Sequence, residues 1–368
     1  MTYMHNKKRD KAKIKSLENL NNMRQEKKIK IVKFRKIITT IVLISIIVAI
    51  FLSVYFLYNF KSEDQDYSKD INHQNYYVSI KGKGNYSSIQ SAINSALDND
   101  TIFVSNGNYF ENINITKSLE LIGEDKNTTI INGNGLGTTI YISADYVKIK
   151  GFTITNAGLT SQNSNIRDAA GIKIESSYNV IFNCNISSNL NYGIYLYANP
   201  DNMNNLIYFN TFYNNRIGIC AGNTILTNIS SNIFIGNTNY GIYLEDKSND
   251  NFISDNILTE NIHGIRIKGS EKNTIIKNFI MNNGYGLYFC CGAKNNLAYN
   301  NVFINNTDWN ANETLPNIWD NGIIGNFWDD YTGTDEDGDG IGDVPYIINL
   351  EDQNKDRFPI MTQQTIII

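Results

Sequence analysis

At 368 residues the chain can bury a substantial core as one large or two ordinary domains, and its formal net charge of −4 hides a division. Residues 1–36 carry 13 Lys/Arg against 3 Asp/Glu, a balance of +10, which leaves −14 for the remainder. The cysteines Cys184, Cys220, Cys290 and Cys291 show no C-x-x-C spacing, so neither a zinc ribbon nor a dense disulfide framework follows and one or two bridges are left open, and the histidines His5, His73 and His263 are too few for a histidine-rich metal centre.

In chain order, the basic segment 1–36 is followed by residues 37–60 (IITTIVLISIIVAIFLSVYFLYNF), 24 positions without a charge. At about 1.5 Å per helical residue such a stretch crosses about 30 Å of hydrocarbon. A cleaved signal peptide would have a shorter apolar region ending in a small-x-small site, which VYFLYNF lacks. The expectation is one uncleaved transmembrane helix, with residues 1–36 cytoplasmic and everything after residue 60 outside. A basic stretch directly before a span reads as a topology signal and an anchor to anionic lipid, not as a nucleic-acid arm. Residues 61–75 are polar and read as a stalk. Next, Ile89, Ala92, Ile93, Ala96 and Leu97 fall at helical spacing, with Ser87 and Gln90 in capping-box register, so the pattern predicts an amphipathic helix over 88–98.

From residue 100 the period changes to short alternating runs separated by Asn and Gly. Glycines at 171, 193, 218, 241, 264 and 286 lead the segments AAGIKIE, NYGIYLY, RIGICAG, NYGIYLE, IHGIRIK and GYGLYFC, and between them run Asn-punctuated pieces such as NFISDNILTEN. Three strands of three to five residues per repeat cannot bury a face alone and are too short for a barrel or a propeller blade. They predict an all-β fold, the coils of a three-sheet parallel β-helix, stacked at about 4.8 Å, about nine coils between residues 100 and 310. Asn suits the corners because it tolerates left-handed backbone angles and can stack into side-chain ladders. The open ends need covering, and the helix near residue 90 and the segment 315–361 are the expected lids of a β-helix domain spanning 76–314, with 362–368 as a tail.

The segments YSSIQSAI, DTIFVSNGNYFENI and KSLELIGE resemble the opening of the pectin-lyase-like right-handed β-helix superfamily, and the repeats resemble those of its NosD-like surface proteins. The run GNFWDDYTGTDEDGDGIGDVPYII followed by DRFPIM is similar to the closing segment of that group. The resemblance covers residues 76–361 and implies the fold; the superfamily includes lyases, hydrolases, epimerases and adhesins, so it implies no single activity.

Strand alternation assigns faces. In GIYLE the Ile and Leu point inward, so one outward column is Lys173, Tyr195, Cys220, Tyr243, Arg266 and Tyr288. Its neighbour contains Glu175, Tyr197, Glu245, Lys268 and Cys290, and a third column, just before each glycine, holds Tyr192, Tyr240, His263 and Tyr285. A ladder of Tyr with Lys and Arg suits a sugar chain, so Lys173, Tyr195, Tyr197, Tyr243, Arg266 and Tyr288 are the candidate glycan contacts. The same pattern also arises from plain β stacking. Arg167, Asp168 and Asp201, on loops that interrupt the coil, are the ionisable alternatives. HGIRIKG at 263–269 is superficially like the His-Gly and Arg-Ile-Lys elements of polygalacturonase-like hydrolases, but the paired carboxylates that this chemistry needs do not precede it. The Met and His richness that copper ligation favours is also absent.

Asp335, Asp337, Asp339, Gly340, Ile341 and Asp343 match positions 1, 3, 5, 6, 7 and 9 of an EF-hand loop, but position 12 is Tyr346 and no helix flanks it. This predicts a structural Ca2+ loop, completed by Asp330 or Glu336, not a sensor. Sequons at Asn85, Asn114, Asn127, Asn185, Asn228 and Asn312 permit glycosylation outside the cell. The sequence reads as a membrane-anchored cell-surface module that either binds carbohydrate or other cell-envelope components or serves a structural role in the envelope, with a membrane-tethered polysaccharide lyase or hydrolase acting on uronate-containing glycans as the alternative.

Overall fold

The computed structural model describes residues 75–82, 84–159, 169–349 and 354–361. The predicted membrane span at 37–60, the segments flanking it and the tail at 362–368 lie outside these residues. Among the described residues no helix is long and apolar enough to cross a membrane.

The chain winds through three parallel sheets in turn: sheet A with ten strands, sheet B with ten and sheet C, which carries the glycine-led strands, with nine. This makes about ten coils in all; between residues 100 and 310 each sheet contributes nine strands, as the repeat count predicts, and the additional strands Asn75–Val78 and Phe327–Trp328 lie on either side of that interval. Successive strands pair in the register of the repeat, for example Ile242 with Ile265 and Ile265 with Leu287. The inward residues of all three sheets form one continuous core, from Val78 and Ile89 at one end to Trp319 and Trp328 at the other.

At the start, the core is covered by a seven-residue helix, Ile89–Ser95. Its cap is Ser88, not Ser87, and the reciprocal acid comes from the first coil. The Glu111 carboxylate accepts from the Ile89 and Gln90 amides, each at 2.9 Å, and from the Ser88 hydroxyl. At the other end Lys117 Nζ donates to the carbonyls of Ile93, Asn94 and Ala96. An anion at the first turn and a cation at the last suit the helix dipole, which explains how so short a helix holds. Leu97, predicted on the buried face, lies past the helix and is exposed.

The corners of the coils carry a feature only half expressed by the repeat. At many corners a residue in the left-handed region is followed by a buried Asn; Asp255 (φ 55°) precedes Asn256, and Lys277 (φ 56°) precedes Asn278. The buried Asn residues are therefore not the left-handed ones. They stack into three ladders. Asn256 shows the bonding: its Oδ1 accepts from the Asn232 amide and Nδ2, and its own Nδ2 donates to Asn278 Oδ1 and the Ile229 carbonyl, all within 2.8–3.1 Å. A buried amide in this setting has its polar atoms matched coil to coil, which is what lets Asn sit in the interior. The first ladder is interrupted by Thr227, whose hydroxyl is buried with no partner.

All three ladders donate in the same direction, and each ends on carboxylates, Glu313 at the end of the last strand of sheet C and Asp329, Asp330 and Asp356 in the final segment. Asn317 donates to Glu313 Oε2, and Asn326 donates to Asp356 Oδ2. Asn306 donates to Asn310, which in turn donates to Asp329 and Asp330. The last amides of each ladder point their N–H groups here, so a carboxyl oxygen, which accepts, is the fitting terminus. Trp319 and Trp328 donate indole N–H to the same Glu313 and Asp356 oxygens. Trp328 also stacks on Phe303 at 4.4 Å and is covered by Tyr346 at 4.3 Å, closing the core with an aromatic plug.

Candidate functional site

The outward face of sheet C is assembled by the register of its strands. Tyr240, His263, Tyr285 and Trp309 fall in one column and Tyr243, Arg266, Tyr288 and Asn312 in the next. The rings of the first column pile up along the axis, with centroids 4.8 Å apart for Tyr240–His263, 4.5 Å for His263–Tyr285 and 4.9 Å for Tyr285–Trp309. His263 and Tyr285 are stacked, with 20° between their planes, whereas Tyr240 and Trp309 are tilted against them by 32° and 50°. Trp309 lies on the last strand of the sheet and ends the column. His263 is pushed down to about 4, first by burial and then by Arg266, so at neutral pH it is an uncharged member of the stack.

Arg266 is held as a structural cation. Its guanidinium lies 5.5–5.7 Å from the ring centres of Tyr240, Tyr243 and Tyr288, donates to the Tyr240 hydroxyl at 2.6 Å and approaches Cys290 Sγ at 3.3 Å. Burial raises the Tyr243 and Cys290 pKa values, so both remain protonated beside it.

The predicted contacts are not all on one surface. Tyr243, Arg266 and Tyr288 are adjacent and half-buried. Tyr195 points out of the coil, as alternation requires, but it is only 1% exposed. It belongs to a second apolar cluster with Ala170, Tyr192, Ile217 and Cys220, separate from the core. Alternation specifies direction and not cover, so Tyr195 is not an available contact. Tyr197, stacked on Tyr195, is 38% exposed. Lys173 sits apart, paired with Glu175 at 3.0 Å and lying over the Tyr141 ring. Arg167, Asp168 and the side chain of Asp201 lie outside the described residues.

Sequence reasoning passed over the groove beside the third column. An open groove of about 760 Å³ runs along the turns leading into sheet C, and Glu260, Ile262, Asn282, Tyr285 and Asp308 line it. The signal was available in the residues just upstream of each glycine, which a strand-by-strand reading treats as turn.

In the final segment the carboxylates of Asp335, Asp337 and Asp339 each offer an oxygen within 4.8 Å of the others. Gly340 takes φ 91° at the sharp turn. Asp335 accepts from the amides of Gly338, Asp339 and Gly340, and Asp343 accepts from the Glu336 amide. An isolated bridge between Ile341 and Ile360 ties the loop to the residue that also bridges Phe327. Asp330 accepts from Asn310 and from the Tyr346 hydroxyl at the end of the third ladder.

A three-sheet parallel β-helix with an aromatic outward face and closed ends defines a pectin-lyase-like solenoid. A family model described as "Periplasmic copper-binding protein (NosD)" matches residues 93–333, and the chain belongs to that family. It is 30% identical to a cell surface glycoprotein of Methanothermus fervidus over 307 residues, covering 66% of this chain and 51% of that protein. It is also 30% identical to a probable ABC transporter binding protein NosD of Pseudomonas aeruginosa over 149 residues, 35% of this chain and 33% of that protein. The chain thus spans about half or less of the length of these relatives. An alginate lyase from Paenibacillus sp. superposes with a TM-score of 0.47 at 15% identity over 62% of this chain and 91% of its own.

Proposed function

We propose that the chain is a membrane-anchored cell-surface module whose β-helix presents sheet C and its flanking groove to carbohydrate or another envelope component. The observation that carries this reading is the continuous aromatic column Tyr240–His263–Tyr285–Trp309 running beside an open groove. Such a surface supplies apolar edges, phenol hydroxyls and acceptors to a chain of pyranose rings, and a repeating ligand matches a repeating coil. The relatives described as surface or periplasmic proteins support the location, and the charge-free 37–60 stretch supports the anchor. The lyase or hydrolase alternative gains nothing from Lys173 and Arg266, since one is ion-paired and the other is caged by rings.

The test is a glycan array probed with residues 73–368, which form a compact unit by themselves. Replacing Tyr285 and Trp309 by Ala is expected to cost at least about tenfold in affinity, about 1.4 kcal/mol. Unchanged binding in that variant would remove the site, and new reducing ends or unsaturated products would move the protein to the enzymatic class.

For the acidic loop we propose a structural Ca2+ held by Asp335, Asp337, Asp339, Asp343 and the Ile341 carbonyl. The convergence of three carboxylates and the left-handed Gly340 support it. Calorimetric titration should give heat at or below millimolar calcium, and chelation should lower the melting temperature; no heat would exclude the ion.

A further inference from the structure

The groove beside the aromatic column has a chemical character that narrows the ligand class, and the inference drawn from it rests on the carbohydrate reading above. The cations that suggest an acidic sugar polymer are engaged elsewhere. Arg266 is enclosed by Tyr240, Tyr243 and Tyr288, and Lys173 is paired with Glu175. His263, lying between Tyr240 and Tyr285, is uncharged at neutral pH. What lines the groove instead are two exposed carboxylates, Glu260 and Asp308, contributed by different coils, and among the described residues neither is drawn into an ion pair. Asp308 Oδ2 lies 3.8 Å from the position a Cβ would take on Gly284, which places it against the groove floor. A side chain at Gly284 would also meet the Ile262 carbonyl at 2.8 Å, so the absence of one keeps the floor low.

We infer that this groove is a subsite for uncharged, hydroxyl-rich pyranosides and that it rejects uronates. A carboxylate is acceptor-only and takes two hydroxyl donors from adjacent ring positions, a pairing stronger than one between neutral groups. Asn282, exposed on the rim, adds a side-chain amide that both donates and accepts. The Tyr285 edge and Ile262 supply the apolar contact that C–H faces of a sugar need. A uronate would bring its own anion into a site already carrying two, and the like charges are placed to exclude it.

The full chain is titrated by calorimetry with cellohexaose as the neutral probe and hexagalacturonate as the acidic one, each at low and at high salt. The groove is expected to bind the neutral hexasaccharide at least tenfold more tightly, with the margin shrinking as salt rises. In the double variant Glu260→Gln, Asp308→Asn the preference should fall below about threefold while the fold, read by circular dichroism, is unchanged. Tyr285→Ala should weaken the neutral probe at least tenfold. Tighter binding of hexagalacturonate by the unmodified chain, or a preference untouched by the double variant, overturns the inference and leaves the carbohydrate reading standing. Binding of neither hexasaccharide overturns the inference, and a blank glycan array in addition overturns the carbohydrate reading.

Discussion

Replacing Asn256 by Leu lowers the stability of the β-helix by about 4 kcal/mol, although the two side chains are close in size and the site is fully buried. Asn256 accepts from the Asn232 amide and Nδ2 and donates to Ile229 and Asn278. Leucine leaves two donors of Asn232 and the Ile229 carbonyl without partners in a dry interior, at about 1–3 kcal/mol each, and the extra apolar contact returns only part of this. The contrast is Asn282→Ala. Asn282 is exposed, with φ 55°, so its replacement costs about 1 kcal/mol for the left-handed backbone alone. Denaturant titration followed by far-ultraviolet circular dichroism separates the two variants, and equal midpoints would show that the ladder adds nothing.

The second large effect is at Asp356, where a carboxylate fills the place of the next ladder asparagine. Its Oδ2 receives the Asn326 amide at 2.6 Å and the Trp328 indole at 2.9 Å, and its Oδ1 receives the Phe358 amide at 3.0 Å. Asp356→Ala therefore strands two buried donors and a part-buried one and should cost about 3–5 kcal/mol, with the final segment opening first. Burial pushes this carboxyl up to about 6 against the pull of those donors. A folded value above the unfolded one of about 4 means that the native state holds the proton more tightly. The stability this contributes is complete below about pH 4 and is lost as pH rises through 6, by about 3 kcal/mol in total. Asp356→Asn keeps the ladder acceptor and removes the titration, so the difference between it and the unmodified protein should change between pH 4 and pH 7. A constant difference would assign the proton elsewhere.

The solenoid was legible because the glycine spacing and strand alternation encode it in every coil. The apolar Ile and Leu of GIYLE point inward, as at Ile242 and Leu244. What a periodic pattern does not encode is anything contributed once. Glu111 and Lys117 come from a different coil to cap the helix, and no local rule links them to Ser88. Tyr195 faces outward by alternation yet is covered, because cover depends on what lies above the strand. The corner asparagines show a third limit. Composition suggested two roles, left-handed turn and ladder, and the chain divides them between neighbouring positions, so that Lys277 takes the strained angle and Asn278 the buried bonds. The groove went unread for the same reason as the caps, since Glu260 and Asp308 belong to different repeats and come to line one groove only when the coils stack.

The central claim, that the aromatic column and its groove form the ligand face, can be tested through tryptophan. Of the three tryptophans, Trp319 and Trp328 are buried in the terminal plug and only Trp309 is partly exposed, at the end of the column. Acrylamide quenching of tryptophan emission, with and without a saturating glycan that the array identifies, reads that one residue directly. The account predicts a single quenchable component that disappears in Trp309→Phe and is protected when glycan is bound; a glycan that binds without protecting Trp309 would contradict it.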